Sequence, residues 1–350
     1  MQETVLVTGG SGFVASHLVH RLLDVGATVH ATVRSISNST KVRPLTDMQA
    51  RFPERLKLFE ADLLKEGSFD AATTGCSVVF HVASPFKLPE KIKDGQVEMV
   101  EPALQGTRNV LGSVNRTESV RRVVMTSTIG AIFGDYIDVY AMKNRTVAEE
   151  YFNTSSNVQN NPYHYSKVVA ENAAWKIQSE QNRWSLVTIN PGMVLGPSLA
   201  PASESGSLFL LDEMFKGYFF YGMPDLSLAC VDVREVVDAH IRAAENPDAK
   251  GRYILSENHT RTFLEIAGFA RRWHPKAYLL PSWQIPNVVV RVIGPLFGLT
   301  QDYMTNHLGI CFALDNSRSR DELGIVYRPF EQTMRDHYRS WAEHRRTKPA

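Results

Sequence analysis

Two groups of residues in this chain can do chemistry together. Tyr163 and Lys167 stand four apart in Tyr163-His164-Tyr165-Ser166-Lys167, so on a helix they share one face. A phenol placed there can give or take a proton. A free tyrosine titrates near pH ~10, and a neighbouring ammonium and a nicotinamide charge are expected to lower that value. Asn161 suits the cap of such a helix and Pro162 its first position. Tyr165 falls on another face and reads as packing.

The second group is Thr8-Gly9-Gly10-Ser11-Gly12-Phe13-Val14-Ala15, directly after the apolar run Val5-Leu6-Val7. Side chains at the glycines of a strand-to-helix turn would hold the backbone away from a pyrophosphate, which the helix N-terminus attracts. Gly9, Ser11, Gly12, Phe13 and Val14 are the candidate contacts. Two glycine registers fit, Gly9 with Gly12, or Gly10-x-Gly12-x-x-Ala15.

The end of the second strand selects the cofactor. Thr32-Val33-Arg34-Ser35 offers a guanidinium where an acidic residue would bind the ribose hydroxyls of NAD, and Lys41 follows. No Asp or Glu occurs from His30 to Val42. Arg34 and Lys41 therefore point to the 2′-phosphate of NADP+ or NADPH. Asp62 and Leu63, after the third strand, are candidates for the adenine. Thr126, Ser127 and Thr128, after the fifth, are candidates for a hydroxyl that bonds a substrate oxygen.

The elements that must carry these groups alternate between strand and helix, which predicts an α/β, doubly wound parallel sheet of the Rossmann type. Strands are expected at 3–7, 28–33, 56–61, 77–82, 120–126 and 186–190, and helices at 12–25 and 97–114. Gly26 should stop the first helix in a left-handed conformation. The 77–82 run should be buried on both faces. A strand near Ala229–Val231 and a helix at 233–245 are expected to rejoin the main sheet. The division is residues 1–194, with 229–256 returning, as the dinucleotide domain. Residues 195–228 and 257–350 form a smaller, discontinuous substrate lobe.

Bulk properties narrow the function further. The chain has 350 residues, 43% hydrophobic, and a net charge of +1, which gives no field for nucleic acid or anionic lipid. Cys76, Cys230 and Cys311 lack metal-ligand spacing and read as reduced thiols of a cytoplasmic protein. No signal peptide is apparent, and the Asn38 and Asn258 triplets read as chance. The apolar stretch Ile285–Leu299 is shorter than the roughly 20 residues of a spanning helix and contains Arg291 and Pro295, so it reads as a lobe helix. His17 and His20 lie three apart, but no carboxylate completes a metal site there. The stretch Arg335–Lys348 reads as a solvated helix face.

Taken as a set, these motifs resemble the extended short-chain dehydrogenase/reductase family, and within it the dihydroflavonol reductase-like branch of plant flavonoid and cinnamoyl-CoA reductases and fungal carbonyl reductases. The resemblance rests on Val7–Ser16, Ala31–Ser35, Ala61–Leu63, Phe80–Pro85, Arg121–Thr128, Tyr163–Lys167, Asn190–Gly192, Gly196-Pro197 and Val231–His240. It implies a Ser/Thr, Tyr, Lys triad on Thr128, Tyr163 and Lys167, with Thr in the usual Ser position and Ser127 as the alternative. Lys167 would also hold the cofactor ribose. Val82, Ala83, Ser84 and Ser127 would line the cofactor, with Pro191, Gly192 and Val194 beside the nicotinamide. Asn161–Lys167 departs from the Asn-Trp-Tyr-Cys-Tyr-Gly-Lys form of cinnamoyl-CoA reductases, which counts against that substrate.

The expected reaction is NADPH-dependent reduction of a bulky ketone or aldehyde to the alcohol, reversible, by a monomer or homodimer. Candidate walls of an apolar pocket are Phe86, Phe133, Met193, Leu195, Phe219, Phe220, Tyr221 and Phe297. Three rivals share parts of the pattern. A nucleotide-sugar epimerase usually keeps NAD, a hydroxysteroid dehydrogenase could touch membrane through 285–299, and a non-enzymatic NADP sensor typically loses the Tyr-Lys pair.

Overall fold

The computed structural model describes residues 3–85, 87, 92–200 and 205–346. Seven strands form one parallel sheet. They are β1 (Thr4–Val7), β2 (Thr28–Val33), β3 (Leu56–Glu60), β4 (Val78–His81), β5 (Arg122–Thr126), β6 (Ser185–Pro191) and β7 (Gly251–Leu255). Their order across the sheet is β7-β6-β5-β4-β1-β2-β3, so the chain changes direction between β1 and β4. A ligand crevice is expected outside the strand ends at such a switch point.

Alternation of side chains builds two cores. Val5 and Val7 face a cluster with helix α1 (Phe13–Asp24), helix α2 (Ser39–Arg51) and the helix Val233–Glu245. Leu6, between them, faces the opposite cluster with helices α3 (Glu101–Arg116) and α4 (Pro162–Ser179). Every residue of β4 is buried, as a strand covered on both faces requires. Gly26 has φ +94°, the left-handed stop expected after α1.

Several elements differ from the sequence expectations. The strand near Ala229–Val231 runs Cys230–Asp232 and pairs with Met193–Leu195 in a separate two-stranded sheet. The place beside β6 belongs instead to β7, which the sequence reading had not assigned. The helix Val233–Glu245 does return to the main layer, burying Val236, Val237 and Ala239. The helix expected at 97–114 begins with a π-turn at Gln96–Val100 and continues as α3 to Arg116. Helix α2 was not foreseen, because its polar composition and internal Pro44 hide a stripe of only Val42, Leu45 and Met48.

A third cluster joins Leu195, Leu211, Met214, Phe215, Phe263, Ile266, Phe330, Met334 and Tyr338. The C-terminal helix Phe330–Arg346 thus buries His337 and Tyr338 on one face and keeps its charged residues on the other. The stretch Ile285–Leu299 contains a helix at Asn287–Ile293 and a 3₁₀ turn at Gly294–Phe297. Among the described residues no helix is long and apolar enough to cross a membrane.

Candidate active site

The glycine turn settles its own register. Gly9 has φ +69°, and a Cβ there would lie 3.0 Å from the Ala83 Cβ. Gly10 instead points inward over Ala31 and Leu45, with its N–H donated to the Thr32 carbonyl at 2.7 Å. Gly9 and Gly12 face the open side. The end of β4 is tied to this turn by Thr8, whose Oγ1 accepts the Val82 and Ala83 N–H groups at 3.0 and 2.9 Å. Helix α1 starts with no side-chain cap and no acidic residue in its first turn. Its N–H groups are therefore available to an anion.

A cleft of about 720 Å³ runs along the strand ends. One half is lined by Gly9, Ser11, Gly12, Phe13, Val14, Arg34, Ser35, Asn38, Thr40, Lys41, Leu63, Val82, Ala83 and Ser84. The other brings in Ser127, Thr128, Phe133, Tyr163, Lys167, Pro191, Gly192, Met193 and Val194. Among the described residues no Asp or Glu lines it, while Arg34, Lys41 and Lys167 do. Such a donor set fits a ligand carrying phosphates.

Five expected contacts are placed otherwise. Asp62 is exposed and is not part of the lining; its carboxylate accepts the Leu64 N–H at 3.0 Å, while Ala61 and Leu63 on either side do line the cleft. Phe220 is 61% exposed and Tyr221 41% exposed, both outside the cleft. The turn from Gly217 (φ +88°) to Gly222 (φ +109°) carries them to the outer surface of the lobe. Leu195 and Phe219 belong to the third core cluster. Phe86 and the side chain of Phe297 lie outside the described residues.

The three polar groups expected at the reacting end do converge. Asn161 caps α4 by accepting the His164 N–H at 3.1 Å, with Pro162 as the first helical residue. Tyr163 and Lys167 both line the cleft from that helix, with the ammonium 5.5 Å from the ring centroid. Lys167 Nζ donates to Ser84 Oγ at 2.5 Å, reaching across to the end of β4. Tyr165 takes no part in the lining. Burial lowers the Lys167 ammonium to about 8 and raises the Tyr163 phenol to about 12. The expectation of a lowered phenol is thus not met in the protein alone, because desolvation of the phenolate outweighs the nearby ammonium.

The hydroxyls after β5 divide. Ser127 is buried and donates its hydroxyl to Glu171, so it faces the cleft edge with its hydrogen already committed. Thr128 Oγ1 accepts the Gly130 N–H at 3.2 Å and donates only a long 3.4 Å contact to the Pro191 carbonyl. It is the hydroxyl that can turn to a ligand. A buried network supports it from below. Asn190 Nδ2 donates to the Thr128 carbonyl at 3.0 Å and to Glu171 at 3.1 Å. Glu171 is paired with Arg252 of β7 at 2.7 Å, and Arg252 holds the Tyr151 and Ala131 carbonyls at 2.6 and 2.9 Å.

Sequence reasoning missed part of the reacting end. His164, Ile129, Tyr136, Ala200, Leu228, Ala229 and Phe312 also line the cleft. His164 had a signal, since it sits beside Tyr163 in the first turn of α4. Tyr136 and Phe312 had none, because they meet through an edge-on ring contact between segments far apart in the chain. His17 and His20 diverge: His17 bonds the Pro197 carbonyl at 2.7 Å and His20 pairs with Asp24 at 3.1 Å.

Comparison with known proteins places this geometry. The family model described as NAD dependent epimerase/dehydratase family matches residues 5–255. A cinnamoyl-CoA reductase of Medicago truncatula is 41% identical over 290 residues, covering 81% of this chain and 83% of that protein. A bifunctional dihydroflavonol 4-reductase/flavanone 4-reductase of Malus domestica is 37% identical over 282 residues, covering 80% of this chain and 78% of that protein. The crystal structure of Gre2 from Candida albicans in complex with NADPH superposes with a TM-score of 0.78 at 28% identity, covering 98% of this chain and 99% of that one.

Proposed function

From the premise that this chain belongs to the NAD dependent epimerase/dehydratase family of extended short-chain dehydrogenases/reductases, we propose that it is an NADPH-dependent reductase of bulky ketones or aldehydes. The observation that carries the reading is the meeting of Thr128, Tyr163 and Lys167 at one end of a cleft whose other end holds Arg34 and Lys41 and whose described lining has no carboxylate.

The residues fit the cofactor. The glycine turn and the uncapped start of α1 would take the pyrophosphate, Arg34 and Lys41 the 2′-phosphate, and Lys167 the ribose. When bound, NADPH supplies the hydride for the carbonyl carbon. Tyr163 then protonates the oxygen as negative charge develops there, and the Thr128 hydroxyl hydrogen-bonds the same oxygen. Lys167 keeps a positive charge beside Tyr163, which stabilises the phenolate left after proton transfer until a proton from solvent restores the phenol. Phe133 and Met193 are proposed to wall the substrate, with the apolar additions Ile129, Leu228 and Phe312.

Arg34 and the absence of lining carboxylates support a reductase over an NAD-retaining epimerase. The test is loss of nicotinamide absorbance with NADPH, and with NADH in parallel, against aromatic aldehydes, diketones, β-keto esters, dihydroflavonols, steroid ketones and a cinnamoyl thioester. The last is included because of the Medicago relative, although Asn161–Lys167 departs from the form that resembles cinnamoyl-CoA reductases. Turnover with NADPH well above NADH is expected. Tightly held NAD with no reduction of any compound would overturn the reading in favour of an epimerase.

A further inference from the structure

The reacting end of the cleft contains one ring nitrogen whose use is still open. His164 lies directly after Tyr163, and the two rings are 5.7 Å apart between centroids. The ring lies flat over Gly130: a Cβ on that glycine would come within 2.5 Å of His164 Cδ2 and 2.7 Å of its Nε2. Only a residue without a side chain at position 130 leaves room for the imidazole in this place.

The other side of the ring is anchored. His164 Nδ1 is 3.1 Å from the Gly134 carbonyl oxygen and 3.0 Å from Asn161 Nδ2. These contacts ask for opposite tautomers, since a carbonyl can only accept and an amide nitrogen can only donate. Gly134 is buried, whereas Asn161 is partly open and already uses its oxygen to cap the helix. An unmet buried carbonyl costs more than an amide hydrogen left to water. Nδ1 therefore carries the hydrogen and gives it to Gly134, and Nε2 is left as a lone-pair acceptor. Burial pushes the imidazole down to about 4, which keeps it in this neutral form near pH 7.

Among the described residues Nε2 makes no hydrogen bond, and it is not one of the sealed, unsatisfied atoms. His164 lines the cleft, so the cleft is the open space that an unsealed Nε2 can address. Around it the walls are mostly apolar: Ile129, Phe133, Met193, Leu228 and Phe312. A hydrogen-bond acceptor set in such walls favours a ligand that brings a donor to it and penalises one that does not.

We propose that His164 is a specificity-determining residue, whose Nε2 accepts a hydrogen bond from a hydroxyl on the carbon next to the reacting carbonyl. Resting on the reductase reading above, this deepens it to a class of substrate: bulky α-hydroxy ketones and aldehydes in preference to their deoxy counterparts. The position follows from the separation of the rings: with centroids 5.7 Å apart, a ligand whose carbonyl oxygen meets Tyr163 can bring a group on the next carbon to His164.

The test uses the matched ketones benzoin and deoxybenzoin, which differ only in the α-hydroxyl, with NADPH and the full-length protein. Wild type is expected to favour benzoin in kcat/KM by about tenfold, the scale of one neutral hydrogen bond. Two variants separate the ring nitrogens. In His164→Asn the short amide can still donate to Gly134 but reaches no further, so the benzoin preference should shrink towards the intrinsic ratio of the two ketones. In His164→Gln the longer amide brings an oxygen near the Nε2 position, so part of the preference should return. The ratio within one variant does not depend on how much of that variant is folded, so a partly unfolded preparation does not obscure the result. An unchanged ratio in His164→Asn, or equal reduction of both ketones by wild type, would overturn the role of His164 alone. Reduction of neither ketone, nor of any other carbonyl compound, would instead remove the reductase reading on which the role rests.

Discussion

The two halves of the cleft are built in different ways. The phosphate half comes from four short local units: the turn after β1, the end of β2 with the start of α2, the segment after β3, and the end of β4. Each unit places its ligand-facing groups within a few residues of a strand end, so the sheet alone sets their geometry. The substrate half draws on the β5 exit, the α4 start, the Met193–Leu195 strand and isolated residues at Tyr136, Leu228 and Phe312. These meet only through long-range packing, and Phe133, Tyr136 and Phe312 contact one another ring to ring. On the proposed function, cofactor and reaction type would reside in local sequence and substrate choice in tertiary contacts. The same local units can thus serve relatives that act on different compounds.

The contrast can be broken most strongly from below the substrate half. Glu171 is 2% exposed and is the carboxylate partner of Arg252. Glu171→Gln leaves a buried guanidinium uncompensated, and a loss of about 3–5 kcal/mol in denaturant unfolding is expected. A loss under about 1 kcal/mol would mean that the network is not what holds the Thr128 segment.

In the phosphate half the effect should be confined to the ligand. Arg34 is exposed and forms no ion pair among the described residues, so Arg34→Ala should leave the melting temperature near that of wild type. NADPH affinity, read by fluorescence titration, is expected to fall by roughly ten- to a hundredfold, with NADH affinity little altered. An equal loss for both cofactors would show that Arg34 does not read the 2′-phosphate.

How much of this was legible in the sequence follows the same division. The glycine turn, the position of Arg34 on the cleft, the capped start of α4 and the shared face of Tyr163 and Lys167 were readable, because each depends on spacing within one turn or one strand end, whereas the choice between Gly9 and Gly10 was not. Strand β7 was not read, since Gly251–Leu255 takes its place only by pairing with β6. Phe220 and Tyr221 were misread as walls, because hydrophobicity gives no direction and the Gly217 and Gly222 conformations turn them outward. The Tyr163 phenol went the other way for a related reason. Spacing puts an ammonium near the ring, but only the packed structure shows how much water is lost around both.

The smallest predicted effect lies where the halves join. Burial lowers Lys167 to about 8, against 10.5 for the ordinary side chain. Between those values the unfolded chain binds more protons than the folded one, so stability rises with pH across that window. The burial cost is fully present below about pH 8. Lys167→Met is therefore expected to be slightly more stable than wild type at pH 7, by roughly 1 kcal/mol after allowance for the open cleft, with the gap closing above about pH 10. A variant less stable than wild type at pH 7 would show that the Ser84 hydrogen bond outweighs the desolvation of the ammonium.

The most direct test of the central claim is a Tyr163→Phe substitution, with carbonyl reduction and NADPH binding measured on the same preparation. The account predicts that kcat falls by about 10²–10⁴-fold, the scale of general acid catalysis, while NADPH affinity stays within about twofold. Reduction at close to the wild-type rate by Tyr163→Phe, with the cofactor bound normally, would contradict it.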